Sequence, residues 1–271
     1  MLSILIVNFN TGRWLRDCLA SLFAVLPPGT FEVLVLDNAS ADDSVPQADA
    51  LGLPVRWTRL DRNVGFGPGN NQLAGQAAGQ FLCLLNPDTT LTADCLTPLV
   101  DFLGAHPDVA IVGPHHLGAD GHWQLTFGAP VTLRSEFLYA LNPAAFWARY
   151  PTASPAEPRD VAWLAGSCLV FRSSLLQALG GLFDPRFFLN DEDVDFCRRA
   201  REHGLRVVYV PVRGLVHYGG ASRPFLGDEK RHTYRSRQTY FEKYYPLPGV
   251  LLFRLARALR ALRDRVASAR R

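Results

Sequence analysis

Several common features are missing from this 271-residue sequence, and each absence excludes a class of protein or site. The five cysteines form no Cys-x-x-Cys pair, which argues against a zinc site of the usual spacing. Their odd number and apolar surroundings predict reduced, mostly buried thiols in a cytosolic compartment. No apolar run reaches transmembrane length, and the first such run lacks the basic start of a signal peptide. Charged residues make up only 20% of the chain, against 48% hydrophobic residues, which is typical of a soluble globular protein.

Net positive charge is confined to the end of the chain. The net charge is +3, but residues 251–271 alone carry +6, which leaves −3 for the other 250 residues. One helical face of this tail is apolar and contains Leu251, Leu252, Leu255, Leu259, Leu262 and Val266. The opposite face contains Arg254, Arg257, Arg260 and Arg265. We expect a basic amphipathic helix over residues 246–271, which either lies on an anionic membrane surface or packs on the body or a partner subunit.

Four apolar runs of strand length alternate with helical patterns in the first third of the chain. They are residues 2–7, 31–36, 55–60 and 81–85, and polar clusters follow the first, second and fourth runs. This alternation predicts an α/β protein with a doubly wound, mostly parallel sheet. Ligands of such sheets bind at the carboxyl ends of the strands. Asp37 and Asp88 therefore fall where a ligand is expected.

Four carboxylates lie within five positions in the segment from Phe187 to Cys197. They are Asp191, Glu192, Asp193 and Asp195, directly after two aromatic residues and before a helical pattern. Charges packed this densely repel one another unless a metal, a cationic partner or a proton-transfer role uses them. The alternative is a solvated acidic helix start, because Asp and Glu favour the first turn of a helix.

A glycine-rich loop runs from Asn63 to Asn71 and opens a helix. Such loops let the backbone approach a phosphate or a ring closely, although an ordinary helix-entry loop is the alternative. The Gly-x-Gly at Gly65 and Gly67 also raises the hypothesis of an NAD-dependent oxidoreductase. Two facts argue against it: Asn70 stands at the third glycine position, and the loop follows the third strand rather than the first.

Two further positions are of interest for metal or phosphate binding. The sequence Asn86-Pro87-Asp88 follows the fourth apolar run, where a lone carboxylate can hold Mg²⁺ or Mn²⁺ together with substrate oxygens, or simply form a turn. His217 is predicted to lie in a turn after a strand, exposed by Gly219 and Gly220. A metal or phosphate role and a structural role are both open for this histidine.

Six short motifs occur in a characteristic order along the chain. They are Asp37-Asn38-Ala39-Ser40, Asn63-Val64-Gly65-Phe66-Gly67, Leu85-Asn86-Pro87-Asp88-Thr89, Gly181-Leu182-Phe183-Asp184, Glu192-Asp193-Val194-Asp195 and His217-Tyr218-Gly219-Gly220-Ala221-Ser222. The chain resembles the family 2 glycosyltransferases of GT-A fold, in particular the rhamnosyltransferase-like branch. Each motif is weak alone, but six in this order, over residues 2–245, are specific. The resemblance implies a Rossmann-like, mostly parallel sheet with an acceptor-side extension and C-terminal helices.

The resemblance also implies how the chain is divided. Residues 1–114 would form the nucleotide-sugar-binding half and residues 115–245 the acceptor and catalytic half, followed by the C-terminal helix of residues 246–271. The residues expected to contact the nucleotide are Asn8, Asn10, Asp37, Asn63, Gly65, Gly67 and Asn86. Asn86 replaces the first aspartate of the family's Asp-x-Asp motif, which leaves fewer anionic ligands for a metal.

The chemistry implied by the resemblance is an inverting transfer of a sugar. Asp88 and His217 would hold Mg²⁺ or Mn²⁺ at the donor diphosphate, and Asp193 would act as catalytic base beside Glu192. Such a transfer needs a carboxylate that takes the acceptor proton and positive charge on the leaving group. We assign Trp163, Gly166 and Asp191 to the acceptor side, with core packing as the alternative for the aromatic residue. Arg and Lys side chains of residues 236–245 are expected to reach the donor phosphates.

The sequence as a whole therefore predicts a metal-dependent glycosyltransferase that uses a nucleotide sugar. dTDP-rhamnose is the best single prediction for the donor, and the expected acceptor is a cell-surface glycan or a lipid-linked molecule. The expected location is the cytoplasm, peripherally at the inner face of the cell membrane. No nucleic acid is expected as a partner, and a homodimer is left open. The alternative is a glycosyltransferase-like module that binds a glycan or nucleotide without turnover, against which the intact Asp88, Asp193 and His217 argue.

Overall fold

The computed structural model describes residues 1–269, apart from the side chains of Glu229 and Ala269, and Arg270 and Arg271 of the predicted tail lie outside the described residues. The strands are β1 (Leu2–Asn8), β2 (Phe31–Asp37), β3 (Val55–Arg59), β4 (Phe81–Leu85), β5 (Thr89–Leu91), β6 (Val109–Gly113), β7 (His116–Leu117), β8 (Trp123–Gln124), β9 (Phe127–Gly128), β10 (Arg159–Asp160), β11 (Trp163–Leu164), β12 (Cys168–Arg172), β13 (Arg206–Tyr209) and β14 (Leu215–His217). The helices are α1 (Arg13–Val25), α2 (Ser44–Asp49), α3 (Phe66–Ala74), α4 (Leu96–Ala105), α5 (Leu133–Leu141), α6 (Pro143–Trp147), α7 (Ser174–Ala178), α8 (Glu192–Glu202), α9 (Glu229–Tyr244) and α10 (Leu247–Ala269).

The central sheet has eight strands in the order β10-β13-β6-β12-β4-β1-β2-β3. β4, β1, β2 and β3 pair in parallel, as do β13 and β6. Only β10 and β12 run antiparallel to their neighbours in this sheet. These pairings confirm the predicted doubly wound, mostly parallel α/β sheet. Parallel pairing of neighbouring strands requires crossover connections, which helices supply.

Both faces of this sheet are buried, which explains the unbroken apolar runs. In β1, Ile4 and Ile6 belong to the core formed with α1 and α4. Leu5 and Val7, which alternate with them, belong to the core on the opposite face, with α3, α7 and α8. Because successive side chains of a strand point to opposite faces, a strand between two helical layers must be apolar at every position.

A third, smaller core fastens the C-terminal helices to the body. It contains Phe187 and Val194 near the start of α8, Tyr240 and Phe241 of α9, and Phe253 of α10. The rings of Phe241 and Phe253 stack with centroids 4.4 Å apart. Through this core, α9 lies directly beside the acidic segment that precedes α8. Across residues 1–269, none of the helices combines the length and the apolar character needed to cross a bilayer.

Candidate active site

A cavity of about 290 Å³ lies at the carboxyl end of β4, next to the start of α8. We call it the central cavity. Six of the residues singled out in the sequence line it: Asn86, Asp88, Gly166, Glu192, Asp193 and His217. They come from four separate segments of the chain, so the fold brings together the lone carboxylate, the histidine and two members of the acidic cluster.

Asp88 and His217 face each other across one wall of this cavity. His217 Nε2 lies 3.5 Å from Asp88 Oδ1, and the Ala221 N–H donates to Asp88 Oδ2 over 3.2 Å. Burial would raise the pKa of the Asp88 carboxyl, but the hydrogen bond and charge of His217 outweigh it and lower that pKa. The wall is therefore built around an ionised carboxylate.

His217 does not lie in an exposed turn, as the sequence predicted. It is the last residue of β14, pairs with Thr89 of β5, and is half-buried. Its Nδ1 lies 3.1 Å from the Gln124 Oε1, while Gln124 Nε2 donates to the His217 carbonyl over 2.9 Å. A partner on Nδ1 fixes the ring orientation and leaves Nε2 towards the cavity. Gln124 was not found from the sequence, because nothing local marks it.

The metal-ligating side chains of this wall suit a divalent ion only if substrate oxygens supply the remaining ligands. Within residues 1–269, no group of three or more His, Cys, Asp and Glu side chains could hold a metal. Asp88 and His217, with the Asn86 amide nitrogen 3.5 Å from His217 Nε2, supply two strong ligands at most. Mg²⁺ and Mn²⁺ accept such sparse sites, because phosphate oxygens and water fill the remaining positions.

The turn that leads into the acidic cluster contains two residues in a backbone conformation that L-amino acids rarely adopt. Asn190 and Asp191 have φ angles of +66° and +63°. Both are held from α9: Asn190 Nδ2 donates to the Thr233 hydroxyl over 2.9 Å, and Arg237 Nε lies 2.7 Å from Asp191 Oδ2. Two consecutive left-handed residues persist only where the surroundings hold them. This turn at Asn190 and Asp191, which we call the acidic turn, therefore aims the first residues of α8 into the central cavity.

The four carboxylates of the cluster have four different surroundings. Asp191 is buried against Arg237, which also binds Glu136 over 2.8 Å. Asp195 is fully buried between Arg199, at 2.9 Å, and Lys243, at 2.7 Å. Arg199 stands four residues after Asp195 on the same helix. These two carboxylates are neutralised within the structure.

Glu192 and Asp193 have no such cation and face the cavity. Burial raises the pKa of Glu192 well above its usual range, and the neighbouring carboxylates add to the shift. Glu192 Oε2 is buried and has no hydrogen-bond partner among the residues described. Burial also raises the pKa of Asp193, to about 6. Two backbone N–H groups hold Asp193, from Gly166 to Oδ2 and from Val194 to Oδ1, each over 2.8 Å. The surroundings therefore favour the protonated form of Glu192, while Asp193 loses its proton near pH 6.

Most of the residues predicted to contact a nucleotide lie outside the central cavity. Three of them, Asn8, Asn10 and Asp37, lie at or just after the ends of β1 and β2. Asn8 and Asp37 are register partners, and Asn8 Nδ2 donates to Asp37 Oδ1 over 2.9 Å. The same amide group donates to the Ser44 hydroxyl over 2.9 Å. Asn10, with φ +49°, accepts from the Ala41 N–H over 2.7 Å. The network holds both strand ends in fixed positions.

Asn38 belongs to the first of the six motifs but was given no role from the sequence, and it joins this network to the glycine-rich loop. Its Oδ1 accepts from the Val64 N–H over 2.8 Å, and its Nδ2 donates to the Gly65 carbonyl over 3.2 Å. Asn63 contributes a further bond inside the loop, from the Gly65 N–H over 2.9 Å. The signal that could have revealed Asn38 is its place directly after Asp37 at a strand end.

The glycines of the loop serve a close contact with the polypeptide itself. A Cβ atom on Gly65 would lie 2.5 Å from the Phe188 carbonyl oxygen, and one on Gly67 would lie 2.8 Å from that of Phe187. Gly65 also has φ +97°. The loop can therefore press against residues 187–188 and support the acidic turn from the side opposite α9. Contact of these glycines with a nucleotide stays a prediction.

Trp163 and Asp191, which the sequence assigned to the acceptor side with Gly166, do not line the central cavity. Trp163 lines a second cavity, and its Nε1 donates to the Ala129 carbonyl over 3.0 Å. The expected reach of residues 236–245 to the donor phosphates is also not seen, since Arg237 and Lys243 bind buried carboxylates instead. Their positions follow from the docking of α9, which no local pattern predicts.

Comparison with known proteins connects this arrangement to a family. The model of "Glycosyl transferase family 2" matches residues 3–179. The N-acetylglucosaminyl-diphospho-decaprenol L-rhamnosyltransferase of Mycobacterium tuberculosis is 31% identical over 239 residues, which are 80% of this chain and 76% of that protein. The rhamnosyltransferase WbbL of Escherichia coli is 25% identical over 57% of this chain and 61% of its own length.

Two solved structures share the fold. Staphylococcus aureus TarS in complex with UDP-GlcNAc superposes with a TM-score of 0.60 and 19% identity, over 88% of this chain and 64% of that one. GalNAc-T7 with UDP, GalNAc and Mn²⁺ has a TM-score of 0.63 and 18% identity. The match covers 80% of this chain but only 44% of GalNAc-T7, so the present chain corresponds to less than half of that protein.

Proposed function

The chain belongs to glycosyl transferase family 2, and from that premise we propose that it is an inverting glycosyltransferase in which Asp193 removes the acceptor proton. The donor in this proposal is a nucleotide sugar, with dTDP-rhamnose as the specific candidate, and the acceptor is a lipid-linked or cell-surface glycan. The names of the two rhamnosyltransferases support the sugar, and the diphospho-decaprenol in one of those names supports a lipid-linked acceptor. One observation carries the proposal: an ionisable Asp193 opposite Asp88 and His217 in one cavity.

The transfer is a single displacement. The acceptor hydroxyl gives its proton to the Asp193 carboxylate while its oxygen forms a bond to the anomeric carbon of the donor sugar. The bond from that carbon to the diphosphate oxygen breaks, and the nucleoside diphosphate leaves with the electron pair. A base with a pKa near 6 is ionised at neutral pH and still accepts a proton readily. The Gly166 N–H orients Asp193 for this task.

The raised pKa of Glu192 favours the neutral form of this carboxyl. A neutral carboxyl beside Asp193 adds no second negative charge to the place where the acceptor oxygen attacks. Asp191 and Asp195, already paired with cations, likewise add no free charge there. Of the four acidic residues, only Asp193 combines an ionised state, exposure to the cavity and fixed orientation.

Asp88 and His217 would hold Mg²⁺ or Mn²⁺, which when bound supplies positive charge for the leaving diphosphate. Asn86 lines the same cavity, with its amide nitrogen 3.5 Å from His217 Nε2. In this proposal the residues at those ends, Asn8, Asn10 and Asp37, and the loop at Asn63 bind the nucleotide. Residues 1–114 then bind the donor, and residues 115–245 supply the acceptor side.

We assign the C-terminal helix to the membrane surface. α10 turns Leu251, Leu255 and Leu262 outwards, with exposed fractions of 53%, 50% and 59%. The exposed Arg254 and Arg265 flank this leucine stripe. Apolar side chains bordered by arginines suit the boundary between acyl chains and anionic headgroups. A peripheral position at the cytoplasmic face would bring the central cavity to a lipid-linked acceptor.

The test of the proposed function is isothermal titration of the protein with UDP, dTDP and GDP, each with and without Mn²⁺. We expect one nucleotide to bind, and to bind more tightly with the metal. Asp88→Ala should weaken that binding by at least roughly tenfold in Mn²⁺ and hardly change it in EDTA. Asp101→Ala, an exposed aspartate on α4, is the matched control and should bind as the wild type does.

Two results would contradict the proposal. If none of the three nucleotides binds, the donor site is not the one described here. If the affinity of Asp88→Ala equals that of the wild type with and without Mn²⁺, Asp88 does not hold the metal.

A further inference from the structure

A second cavity, of about 400 Å³, lies behind the acidic turn. It is enclosed by α5, α6, α9 and α10, and we call it the aromatic cavity. Its wall towards the central cavity contains the Asn190–Thr233 hydrogen bond and the Asp191–Arg237 ion pair. The two cavities therefore lie back to back, on either side of the residues that precede the proposed base.

Five aromatic side chains line the aromatic cavity: Tyr139, Phe146, Trp147, Tyr150 and Trp163. All of them except Trp163 form one cluster. The centroids of the Phe146 and Trp147 rings are 5.2 Å apart, and those of Phe146 and Tyr150 are 5.5 Å apart. Trp147 remains 54% exposed, at the outer side. Such a lining takes up an apolar chain or a ring.

The same cavity has an excess of positive charge. Arg237, Arg257 and Arg260 line it, with Glu136 as the only carboxylate among the lining residues described. Arg237 already binds Glu136 and Asp191, so its charge is balanced within the protein and does not attract a further anion. In the part of the chain whose side chains are described, no carboxylate lies within ion-pair distance of Arg257, and its guanidinium lies 4.8 Å from the centroid of the Tyr234 ring. Burial and the charge of Arg260 lower the pKa of Arg257.

Arg260 stands next to Arg257 and is only weakly paired. Its guanidinium lies 4.3 Å from the centroid of the Tyr139 ring, and its carboxylate partner, the exposed Asp264, is 3.8 Å away. Two arginines on one side of an apolar cavity form an anion site, because guanidinium groups bind phosphate oxygens through paired N–H donors.

The orientation of α10 supports this assignment. An amphipathic helix on a globular body normally buries its leucines and exposes its arginines. Here Arg257 and Arg260 face the body, while Leu251, Leu255 and Leu262 face outwards. Arg263 fixes this orientation by donating to the Ala140 carbonyl at the end of α5 over 2.8 Å. The inward arginines would be balanced by a bound anion.

We propose that the aromatic cavity binds a diphosphate attached to an apolar chain, with Arg257 and Arg260 on the phosphates and the Phe146–Trp147 side on the first part of the chain. In the context of the proposed function, on which its biological role rests, this ligand is the diphosphate and proximal chain of the lipid-linked acceptor. The sugar of that acceptor would then extend past the acidic turn towards Asp193.

The probe is farnesyl diphosphate, measured by quenching of tryptophan fluorescence, since Trp147 and Trp163 line the cavity. EDTA removes the divalent ion that would hold a diphosphate at the donor site and so keeps the probe from that site. We expect saturable binding to the wild type and binding at least about tenfold weaker to Arg257→Gln/Arg260→Gln, since each loses charged hydrogen bonds. The matched control is Arg56→Gln/Arg59→Gln, which removes the same charge from the exposed surface of β3 and should bind as the wild type does.

Three results would overturn the site. The first is equal affinity of the wild type and Arg257→Gln/Arg260→Gln. The second is equal affinity for inorganic pyrophosphate and farnesyl diphosphate, which would mean a site for free phosphate. The third is equal affinity for farnesol, which would remove the phosphate from the recognition. If the double variant does not fold, as judged by circular dichroism, Arg260→Gln alone replaces it, since this half-exposed side chain contributes less to packing.

The same measurement separates this proposal from the proposed function. Binding of farnesyl diphosphate that depends on Arg257 and Arg260, in a protein that transfers no sugar, supports the site and refutes the function. Sugar transfer whose KM for a diphosphate-linked acceptor is unchanged in Arg257→Gln/Arg260→Gln supports the function and refutes the site.

Discussion

The polar residues at the ends of β1 and β2 and those at the start of α8 are held in place by different interactions. Asn8 and Asp37 lie on neighbouring parallel strands and are fixed by hydrogen bonds to each other and to hydroxyl and backbone groups nearby. Asp191 and Asp195 are fixed by arginine and lysine side chains, two of which come from α9, more than 40 residues further along the chain. The first region depends on the sheet and on the segment directly after β2, whereas the second depends on the docking of a distant helix.

This difference matters for the chemistry at the cavity. The hydrogen bonds at the strand ends fix positions without a basic side chain from a distant helix. Buried ion pairs, by contrast, neutralise two of the four acidic residues and leave Glu192 and Asp193 to share one site. The raised pKa of Asp193, which suits a catalytic base, thus results from burial in the second region.

The largest effect is expected from Asp193→Asn, which should separate the two regions. The amide cannot accept the acceptor proton, so kcat should fall about 1,000-fold. Nucleotide binding, which depends on the strand ends, should remain unchanged. Initial rates with a saturating donor, together with isothermal titration, measure both quantities. Asp101→Asn on the surface is the control.

The pH profile tests the same residue. Because a base works only when deprotonated, kcat/KM of the wild type should rise as the pH increases through about 6 and level off above it. The residual activity of Asp193→Asn should lack this rise. Retained turnover in Asp193→Asn would move the base to Glu192 or Asp191.

A smaller effect, on stability, is expected from Arg237→Ala. The change leaves Asp191 and Glu136 buried without their cation, so the free energy of unfolding should fall by about 3 kcal/mol. Arg56→Ala removes the exposed pair with Glu32 and should cost less than about 1 kcal/mol. Urea unfolding at neutral pH measures both. Similar small losses in the two variants would mean that α9 is not required to hold the acidic turn.

The smallest effect is expected at the outward face of α10. Leu262→Gln should weaken binding to vesicles with anionic lipids by roughly fivefold, since less apolar surface leaves water. Leu51→Gln, another exposed leucine, far from α10 in the sequence, should leave binding unchanged. Vesicle sedimentation gives the affinity. If Leu262→Gln instead abolishes a homodimer in ultracentrifugation and vesicle binding is unchanged, the leucine stripe is a subunit interface.

Much of the sheet was predictable because its signals are local. The apolar runs at residues 2–7, 31–36 and 81–85 correspond to β1, β2 and β4, and the sheet places Asp88 beside the cavity as the strand-end argument requires. The buried state of all five cysteines follows from the same apolar surroundings. His217 was misplaced because a three-residue strand such as β14 has too few residues to show a period.

The sequence by itself determined the fold class, the order of the motifs and which residues stand at the strand ends, because side-chain periodicity and apolar runs act over a few neighbouring positions. Only the tertiary structure decided which of the four clustered carboxylates is left to accept a proton, and which face of α10 meets the body. Both depend on α9 and α10 docking over the acidic turn. Burial and ion pairing between distant segments set the charge of a side chain, and no local pattern encodes them.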